Sequence, residues 1–283
     1  MLKRVITGVL LLAIVFALIA LQGWYLRAGL LVMALAAMHE VYNAFANREI
    51  KPVRWTGFVF VIIAFAAEAF SDSLIISADS MLLMGLMLCV MAAIICVVLR
   101  GQPDYEAVSA SVVPILYPGM FFAYFMRIQS LGHPGVVTLA LLMTVLMSAM
   151  NDTFALFVGK AIGRHKLIPG ISPNKTIEGS IGGLVASAVF SVVIPAVFVR
   201  LNTAYGLWPD MPELAPMWVF VVFGVVAGII SQIGDLTASL LKRWCGIKDY
   251  GKIFPGHGGM MDRLDAIMFS AVACYMFFML TGH

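Results

Sequence analysis

The chain has 283 residues, a net charge of +3, 62% apolar residues and only 12% charged residues. Soluble globular domains carry about 25% charged residues, so this composition excludes an ordinary soluble protein and indicates an integral membrane protein. No polar stretch is long enough for a separate soluble core, and we therefore expect one membrane-embedded unit over residues 1–283.

The apolar segments are too long and too uniform for the roughly 10-residue strands of a membrane barrel, and they predict an all-α polytopic helical bundle. We predict about nine transmembrane helices by length and hydropathy. They lie at 5–21, 24–46, 56–70, 79–99, 107–126, 134–162, 176–200, 216–241 and 262–281. The first is interpreted as an uncleaved helix, because no clear signal-peptide cleavage site follows it. The sixth carries Asn151 and Asp152, so we expect it to be broken or to extend beyond the bilayer.

The distribution of Lys and Arg predicts the orientation of the chain. With a cytoplasmic N-terminus and an outside C-terminus, all of these residues except Arg27, Arg127 and Arg200 lie on the inside. The polar inside loops at 160–175 and 242–261 then face the cytoplasm, as in a bacterial-type inner (cytoplasmic) membrane protein. We divide the unit into 1–106 with about four spans, 107–175, and 176–283, which carries the most polar motif.

Four aspartates interrupt apolar sequence near the predicted inner face. Asp152 lies in the sixth segment, Asp235 lies in the eighth, and Asp262 and Asp265 begin the last one on a shared helix face. Carboxylates held close repel one another unless a cation or proton intervenes, and such oxygen ligands suit Mg²⁺. Two alternatives stay open: Asp262 and Asp265 cap a helix, and Asp235 is the structural partner of a neighbouring Lys or Arg.

The segment between the last two predicted helices combines several cations with a glycine-rich turn at 256–259. Glycines let backbone approach a ligand closely, and a helix N-terminus offers free N–H groups to anions, so the segment predicts phosphate binding. A positive-inside cluster at lipid headgroups is the alternative for the cations. His257 in the turn is interpreted as a hydrogen-bonding partner of phosphate, with an acid or base role as the alternative.

A second polar stretch precedes the seventh predicted helix. Ser172 followed by Pro173 predicts a helix start there, which places Lys175 in the first turn, where a bound phosphate would compensate its charge. Gly179 and Gly183 form a G-x-x-x-G pattern, interpreted mainly as helix packing. Elsewhere, Glu40 and Glu68 lie in apolar segments without a surrounding motif, and we interpret them as packing or interfacial groups rather than as catalysts.

These motifs resemble the signature of the phosphatidate cytidylyltransferases, also called CDP-diacylglycerol synthases. The resemblance covers the whole chain and is most specific over about 150–265. It is carried by Ser239-x-Leu241-Lys242-Arg243, Lys248-Asp249-x-Gly251, Phe254-Pro255-x-His257-Gly258-Gly259 and Asp262-Arg263-Leu264-Asp265. The Ser172-Pro173-Asn174-Lys175-Thr176 stretch is similar to an internal motif of that family, and Asp152 to its upstream acidic position.

The resemblance implies that CTP and phosphatidic acid react to give CDP-diacylglycerol and pyrophosphate. It implies a metal site of Asp235, Asp262 and Asp265 that holds Mg²⁺, with a second, monovalent cation such as K⁺ beside it. Lys242 and Arg263 join these aspartates as expected catalytic residues. The expected substrate-binding residues are Asp152, Ser172, Asn174, Lys175, Ser239, Arg243, Lys248, Asp249, His257, Gly258 and Gly259. The expected partners are the two substrates, the lipid bilayer and a second copy in a homodimer, with no nucleic acid.

Two other functions fit parts of the pattern. A CTP-dependent kinase of a polyprenol or related lipid also needs cations, carboxylates and a lipid entrance, but its neutral hydroxyl nucleophile requires a general base. A cation-coupled transporter is compatible with Asp152 and Asp235 in apolar helices. No internal repeat is evident, however, and the charge gathers at one face rather than at the midplane.

Overall fold

The computed structural model describes residues 13–71, 75–254, 256 and 258–282. Residues 13–21 are helical. The elements that follow are helices α1 Gly23–Ala46, α2 Arg54–Ala69, α3 Ala78–Val98, α4 Tyr105–Pro114, α5 Phe121–Arg127, α6 Pro134–Ile162, α7 Ile177–Tyr205, α8 Met217–Trp244 and α9 Met261–Leu280, and strands β1 Lys166–Ile168 and β2 Ser172–Thr176. The described part of the chain is therefore a helical membrane protein with one short hairpin, which the all-α prediction did not include.

Seven helical segments in the described residues are long and apolar enough to cross a membrane: α1, α3, Tyr105–Ser130, α6, α7, α8 and α9. The predicted segment 56–70 is also helical, but α2 has 16 residues and is shorter than a straight span of about 20. The predicted segment 5–21 is described only from residue 13 onward, where it is helical. The count of nine and the orientation of the termini therefore stay predictions.

Prolines interrupt the predicted fifth span. A turn of π-helix at Ile115–Met120 separates α4 from α5 and contains Pro118, and Pro114 ends α4. Proline lacks the N–H that a regular helix needs and clashes with the preceding turn, so the helix cannot continue unchanged. By contrast α6 runs unbroken past Asn151 and Asp152 for 29 residues, so the expected break is absent and its length exceeds what a straight span requires.

The chain folds into two compact units. Unit 1 comprises Met1–Arg127 with Leu241–Leu264, and unit 2 comprises Ile128–Leu240 with Asp265–His283. In unit 1, α1 and α2 pack closely where Gly57 leaves room for the side chains of Tyr42 and Met38. The Arg127 guanidinium binds Asp79 at 2.9 Å and Glu68 at 3.7 Å, which joins the ends of α5, α3 and α2. The predicted three-part division of the chain stays a prediction.

In unit 2, α6 and α7 pack through the G-x-x-x-G pattern. A Cβ added at Gly179 would lie 2.6 Å from the carbonyl oxygen of Ala155, and one added at Gly183 would lie 2.9 Å from that of Asn151. The two glycines therefore bring the backbones of α6 and α7 together, as the packing interpretation predicted. Phe223 of α8 stacks on Phe277 of α9 with ring centroids 4.2 Å apart.

The predicted helix start at Ser172 is wrong. Residues Ser172–Thr176 form β2, which pairs antiparallel with β1, so Lys175 lies on a strand rather than in a first helical turn. The helix begins after Thr176, whose side-chain oxygen accepts a hydrogen bond from the Gly179 N–H at 3.1 Å. Because a residue before proline favours extended backbone, Ser172-Pro173 is as compatible with a strand as with a helix start.

Gly183→Leu is expected to lower the free energy of unfolding by about 1–3 kcal/mol, because its side chain would meet the backbone of α6, which cannot move aside. Thermal unfolding of the purified protein in detergent measures this. Ile181→Leu, at an exposed position two residues earlier on α7, is the matched control. Equal unfolding temperatures for Gly183→Leu and the control would contradict the packing described here.

Candidate active site

A buried ion pair joins the end of α8 to the start of α9 within unit 1. The Lys242 ammonium donates to Asp262 Oδ1 at 2.8 Å, and the two side chains are 13% and 3% exposed. Lys242 also lies over the ring of Tyr250, 5.5 Å from its centroid. Removing either member would leave the other charge buried without its partner, so this pair is a strong local constraint.

Backbone N–H groups hold the second oxygen of Asp262. Asp262 Oδ2 accepts hydrogen bonds from Tyr250 N at 2.8 Å and from Gly259 N at 3.0 Å. Gly258 adopts a φ of +83°, which disfavours other residues, and a Cβ there would lie 2.8 Å from the same oxygen. The glycines of this turn therefore let the chain wrap closely around the Asp262 carboxylate. We call the described residues of the range 245–260 the wrapping loop.

Residues in α1 and directly after it bind both ends of the wrapping loop and the last residue of α8. Asn47 Nδ2 donates to the Cys245 carbonyl at 3.1 Å, and Arg48 Nη1 donates to the Trp244 carbonyl at 3.2 Å. At the other end of the loop, the buried Glu40 carboxylate accepts from Met260 N and Met261 N. These residues of α1 and of the segment directly after it were not predicted as part of the site, because no sequence motif surrounds them and their partners lie about 200 residues away.

Unit 2 contains a mixed polar and apolar cavity of about 570 Å³. Its polar wall carries two lysines, two aspartates and several amide and hydroxyl groups. Its apolar wall comes mainly from α6 and β1. The lining residues are Asp152, Ala155, Leu156, Gly159, Lys160, Leu167, Asn174, Lys175, Thr176, Gly179, Ser180, Gln232 and Asp235. A cavity with these two walls suits an amphipathic or phosphorylated ligand.

Lys175 and Asp235 form an ion pair inside this cavity. The Lys175 ammonium lies 2.5 Å from Asp235 Oδ2, and both side chains are 27% exposed. The sequence analysis left open that Asp235 is the structural partner of a Lys or Arg, and in the structure Asp235 does pair with Lys175. Both groups stay accessible from the cavity, so the pairing does not remove them from contact with a ligand.

Asp235 and Asp265 lie beside a close approach of two helices in unit 2. A Cβ added at Gly234 of α8 would lie 2.8 Å from the carbonyl oxygen of Asp265 on α9. Glycine at 234 therefore allows the two backbones to touch next to both aspartates. Asp265 Oδ1 also accepts from the N–H of Ala266 at 2.8 Å.

A partly buried hydrogen-bond network joins two residues of the unit 2 cavity lining, Gln232 and Ser180, to Asn151 of α6. Gln232 Nε2 donates to Asn151 Oδ1 and to the Ser180 carbonyl, each at 3.0 Å, and Gln232 Oε1 accepts from Ser180 Oγ. Asn151 Nδ2 in turn donates to the Gly228 carbonyl at 2.9 Å. Gln232 was missed from the sequence because a single glutamine in an apolar helix carries no spacing signal. Its bonds fix α8, and thus Asp235, against α6 and α7.

The remaining predicted residues occupy varied environments. Ser239 is buried, Ser172 is half-buried, and Asn174 lines the unit 2 cavity although its side chain is exposed. Arg243, Lys248, Asp249 and Arg263 are exposed. Pro255 and His257 lie outside the described residues.

The predicted metal ligands divide between the units: Asp262 belongs to unit 1, and Asp235 and Asp265 belong to unit 2. Within each unit, the described residues contain no cluster of three or more His, Cys, Asp or Glu side chains arranged to hold a metal ion. The three-aspartate metal site therefore stays a prediction.

Apolar helices long enough to span a membrane, with a cluster of carboxylates and cations in each unit, define a polytopic membrane protein. A sequence model described as "Cytidylyltransferase family" matches residues 2–281, and the chain belongs to that family. The resemblance found in the motifs is thereby confirmed.

Curated relatives are similar over nearly their whole length. A protein named phosphatidate cytidylyltransferase from Synechocystis sp. is 30% identical over 98% of this chain and 96% of its own length. The protein of the same name from Bacillus subtilis is 30% identical over 98% and 97%. That from Staphylococcus haemolyticus is 30% identical over 94% of each chain.

Lys242→Met and Asp262→Asn are each expected to lower the free energy of unfolding by about 3 kcal/mol, because each leaves a buried charge without its partner. The double variant should be more stable than the sum of the single effects predicts, by at least about 1 kcal/mol. Thermal or denaturant unfolding in detergent, as a double-mutant cycle, measures this coupling. Strictly additive effects would show that the pair does not interact in the membrane protein.

Proposed function

We propose that this protein transfers the cytidylyl group of CTP to phosphatidic acid, giving CDP-diacylglycerol and pyrophosphate for phospholipid synthesis. The observation that carries the proposal is the match over nearly the full length to several proteins named phosphatidate cytidylyltransferase. The clusters around Asp262 and Asp235 add the charge chemistry that such a reaction requires.

The reaction is an attack by a phosphate oxygen of the lipid on the α-phosphorus of CTP. A new P–O bond forms there, the bond from the α-phosphorus to the bridging oxygen breaks, and pyrophosphate leaves with that electron pair. Because the lipid phosphate is anionic near neutral pH, no strong general base is needed. The barrier comes mainly from bringing two anions together, so positioning and charge neutralisation should dominate catalysis.

The unit 2 cavity supports binding of a phosphorylated ligand. Lys160 and Lys175 lie on its wall and can neutralise phosphate oxygens, while Leu156 and Leu167 offer an apolar surface to a lipid. Asn174, Ser180 and Gln232 supply polar groups for orientation. In this proposal Lys242 and Arg263 contribute positive charge near the wrapping loop, and Arg243 and Lys248 provide further phosphate contacts.

The donor chemistry of the same cavity fits Mg²⁺. Two carboxylates, Asp152 and Asp235, line it, and Mg²⁺ is commonly held by one or two carboxylates together with waters and substrate phosphates. When bound, Mg²⁺ supplies Lewis-acid stabilisation of phosphate charge. We propose Asp235 as a ligand, and we retain Asp262, Asp265 and a second, monovalent cation as proposals that follow from the family resemblance.

The lipid substrate also sets the proposed location. Its acyl chains stay in the bilayer while its phosphate meets a nucleotide from solution. We therefore propose an inner-membrane protein whose site faces the cytoplasm, consistent with the bias of Lys and Arg along the sequence. The homodimer implied by the family is retained as a proposal for the assembly.

Purified protein supplied with phosphatidic acid, Mg²⁺ and CTP labelled at the α-phosphate is expected to form a labelled lipid. The same assay with γ-labelled CTP should leave the lipid unlabelled, since pyrophosphate departs. Asp262→Asn should abolish turnover while the protein still inserts. Asparagine is preferable to alanine here because it keeps the side-chain volume in a buried position.

Asp104→Asn is the matched control for this assay. Asp104 caps the start of α4 by accepting from Ala107 N at 2.8 Å, and asparagine caps helices equally well. This variant should keep full turnover. Label on the lipid only from γ-labelled CTP would instead identify a lipid kinase, and nucleotide-independent ion flux in proteoliposomes without a labelled lipid would identify a transporter.

Removal of divalent cations is expected to stop formation of the labelled lipid, because the anionic substrates would meet without charge neutralisation. Chelation with EDTA followed by stepwise addition of Mg²⁺ measures the requirement. Asp235→Asn should raise the Mg²⁺ concentration that gives half the maximal rate. Full turnover with all divalent metal chelated would exclude the proposed role of the ion.

A further inference from the structure

Glu40 is a carboxylate buried in an apolar helix. It lies in α1 with 4% of its surface exposed. Burying a carboxylate is costly unless donors satisfy its oxygens. Both oxygens of Glu40 accept backbone hydrogen bonds: Oε1 from Met260 N at 3.0 Å and Oε2 from Met261 N at 2.9 Å.

These two N–H groups stand at the beginning of α9. The first N–H groups of a helix have no intrahelical acceptor, and a negative charge there also interacts favourably with the helix dipole. Glu40 therefore caps α9 from a different helix, with its bonds to Met260 and Met261 reaching across 220 and 221 residues of sequence. Such a contact fixes where α9 begins relative to α1.

Two glycines make this contact so close that no side chain fits between the carboxylate and the loop. A Cβ added at Gly251 would overlap Glu40 Oε1, and one added at Gly259 would overlap both carboxylate oxygens. The backbone of the wrapping loop therefore presses on Glu40 from two positions. Gly259 also donates its N–H to Asp262 at 3.0 Å, so one short segment contacts both carboxylates.

We propose that Glu40 is a positioning residue for Asp262 and Lys242. By holding residues 260 and 261, Glu40 fixes the first turn of α9, from which Asp262 reaches Lys242 and the N–H groups of the wrapping loop. Its own oxygens are occupied by the backbone, so it acts through Asp262 and not by contact with the substrate. The inference deepens the proposed function and rests on it for its kinetic readout.

The test uses the full-length protein and two changes that loosen the contact differently. Glu40→Ala removes both acceptors, whereas Gly251→Ala keeps the carboxylate and pushes the loop away from it. Both are expected to lower kcat by about 100-fold with a smaller change in the KM for CTP, because misplaced catalytic groups mainly affect the transition state. Glu40→Gln keeps one acceptor oxygen and should fall between Glu40→Ala and the unchanged protein.

Glu68→Gln is the matched control. Glu68 is also a glutamate buried in an apolar helix of unit 1, but its carboxylate lies 3.7 Å from Arg127 of α5. This variant should keep the kcat of the unchanged protein even where its unfolding temperature falls. It thereby separates general destabilisation from the loss of positioning.

Cys245 gives a readout that does not depend on activity. It lies at the start of the wrapping loop with 1% of its surface exposed, and burial raises the pKa of its thiol to about 11. Alkylation followed by peptide mass spectrometry should show faster labelling of Cys245 in Glu40→Ala and Gly251→Ala than in Glu68→Gln. This comparison stands even where no CDP-lipid is formed, so failure of the proposed function and failure of this inference are distinguishable.

Wild-type kcat in Glu40→Ala would overturn the inference, as would Cys245 labelling equal to that of the Glu68→Gln control. Should Glu40→Ala not fold, Glu40→Gln and Gly251→Ala carry the test. A fall in kcat together with faster Cys245 labelling in those two variants supports the inference, and the absence of either effect overturns it.

Discussion

Charge buried in an apolar chain must be compensated locally, and this requirement organises unit 1. The chain meets it at Asp262 by bringing the Lys242 ammonium to one carboxylate oxygen and two loop N–H groups to the other. It meets it again at Glu40 with the backbone at the start of α9. Because each carboxylate accepts hydrogen bonds from the backbone of the wrapping loop, the course of that loop is tied to where the two charges lie.

Unit 2 also compensates its charged groups locally, but it leaves them accessible from a cavity. Lys175 and Asp235 compensate each other but remain open to a cavity, and an amide network of Gln232, Asn151 and Ser180 supports them. A partly exposed pair can exchange its partner for a phosphate or a cation at lower cost than a more deeply buried one. The cluster in unit 1 is therefore suited to holding its charged groups in fixed positions, and the cavity in unit 2 is suited to exchanging its internal contacts for a ligand.

The sequence predicted helix positions well wherever composition and caps agreed. The predicted bounds 134–162 coincide with α6, because Pro134 favours a helix start and the apolar run ends at Gly163. It failed at Ser172, where a serine before proline resembled a cap although the chain continues as a strand to Thr176. Local propensity does not separate these outcomes; the pairing of β2 with β1 does.

The candidate site was only partly predictable for a related reason. Signature residues such as Asp262 and Lys242 stand close together in sequence and form a pattern. The contact between Glu40 and Met260 joins residues 220 positions apart and leaves no trace in spacing. A single sequence shows that the Glu40 carboxylate is costly to bury in an apolar helix. It does not show which backbone N–H groups satisfy its oxygens.

The close fit of Gly251 and Gly259 against Glu40 has a consequence for how such chains diverge. With the loop held in place, a larger residue at either glycine requires a shorter side chain at position 40, and a shorter side chain there leaves room that a methyl group could fill. The three positions should consequently change together during evolution, as a coupled set. Paired substitutions at these sites would then preserve a geometry that each substitution alone disrupts.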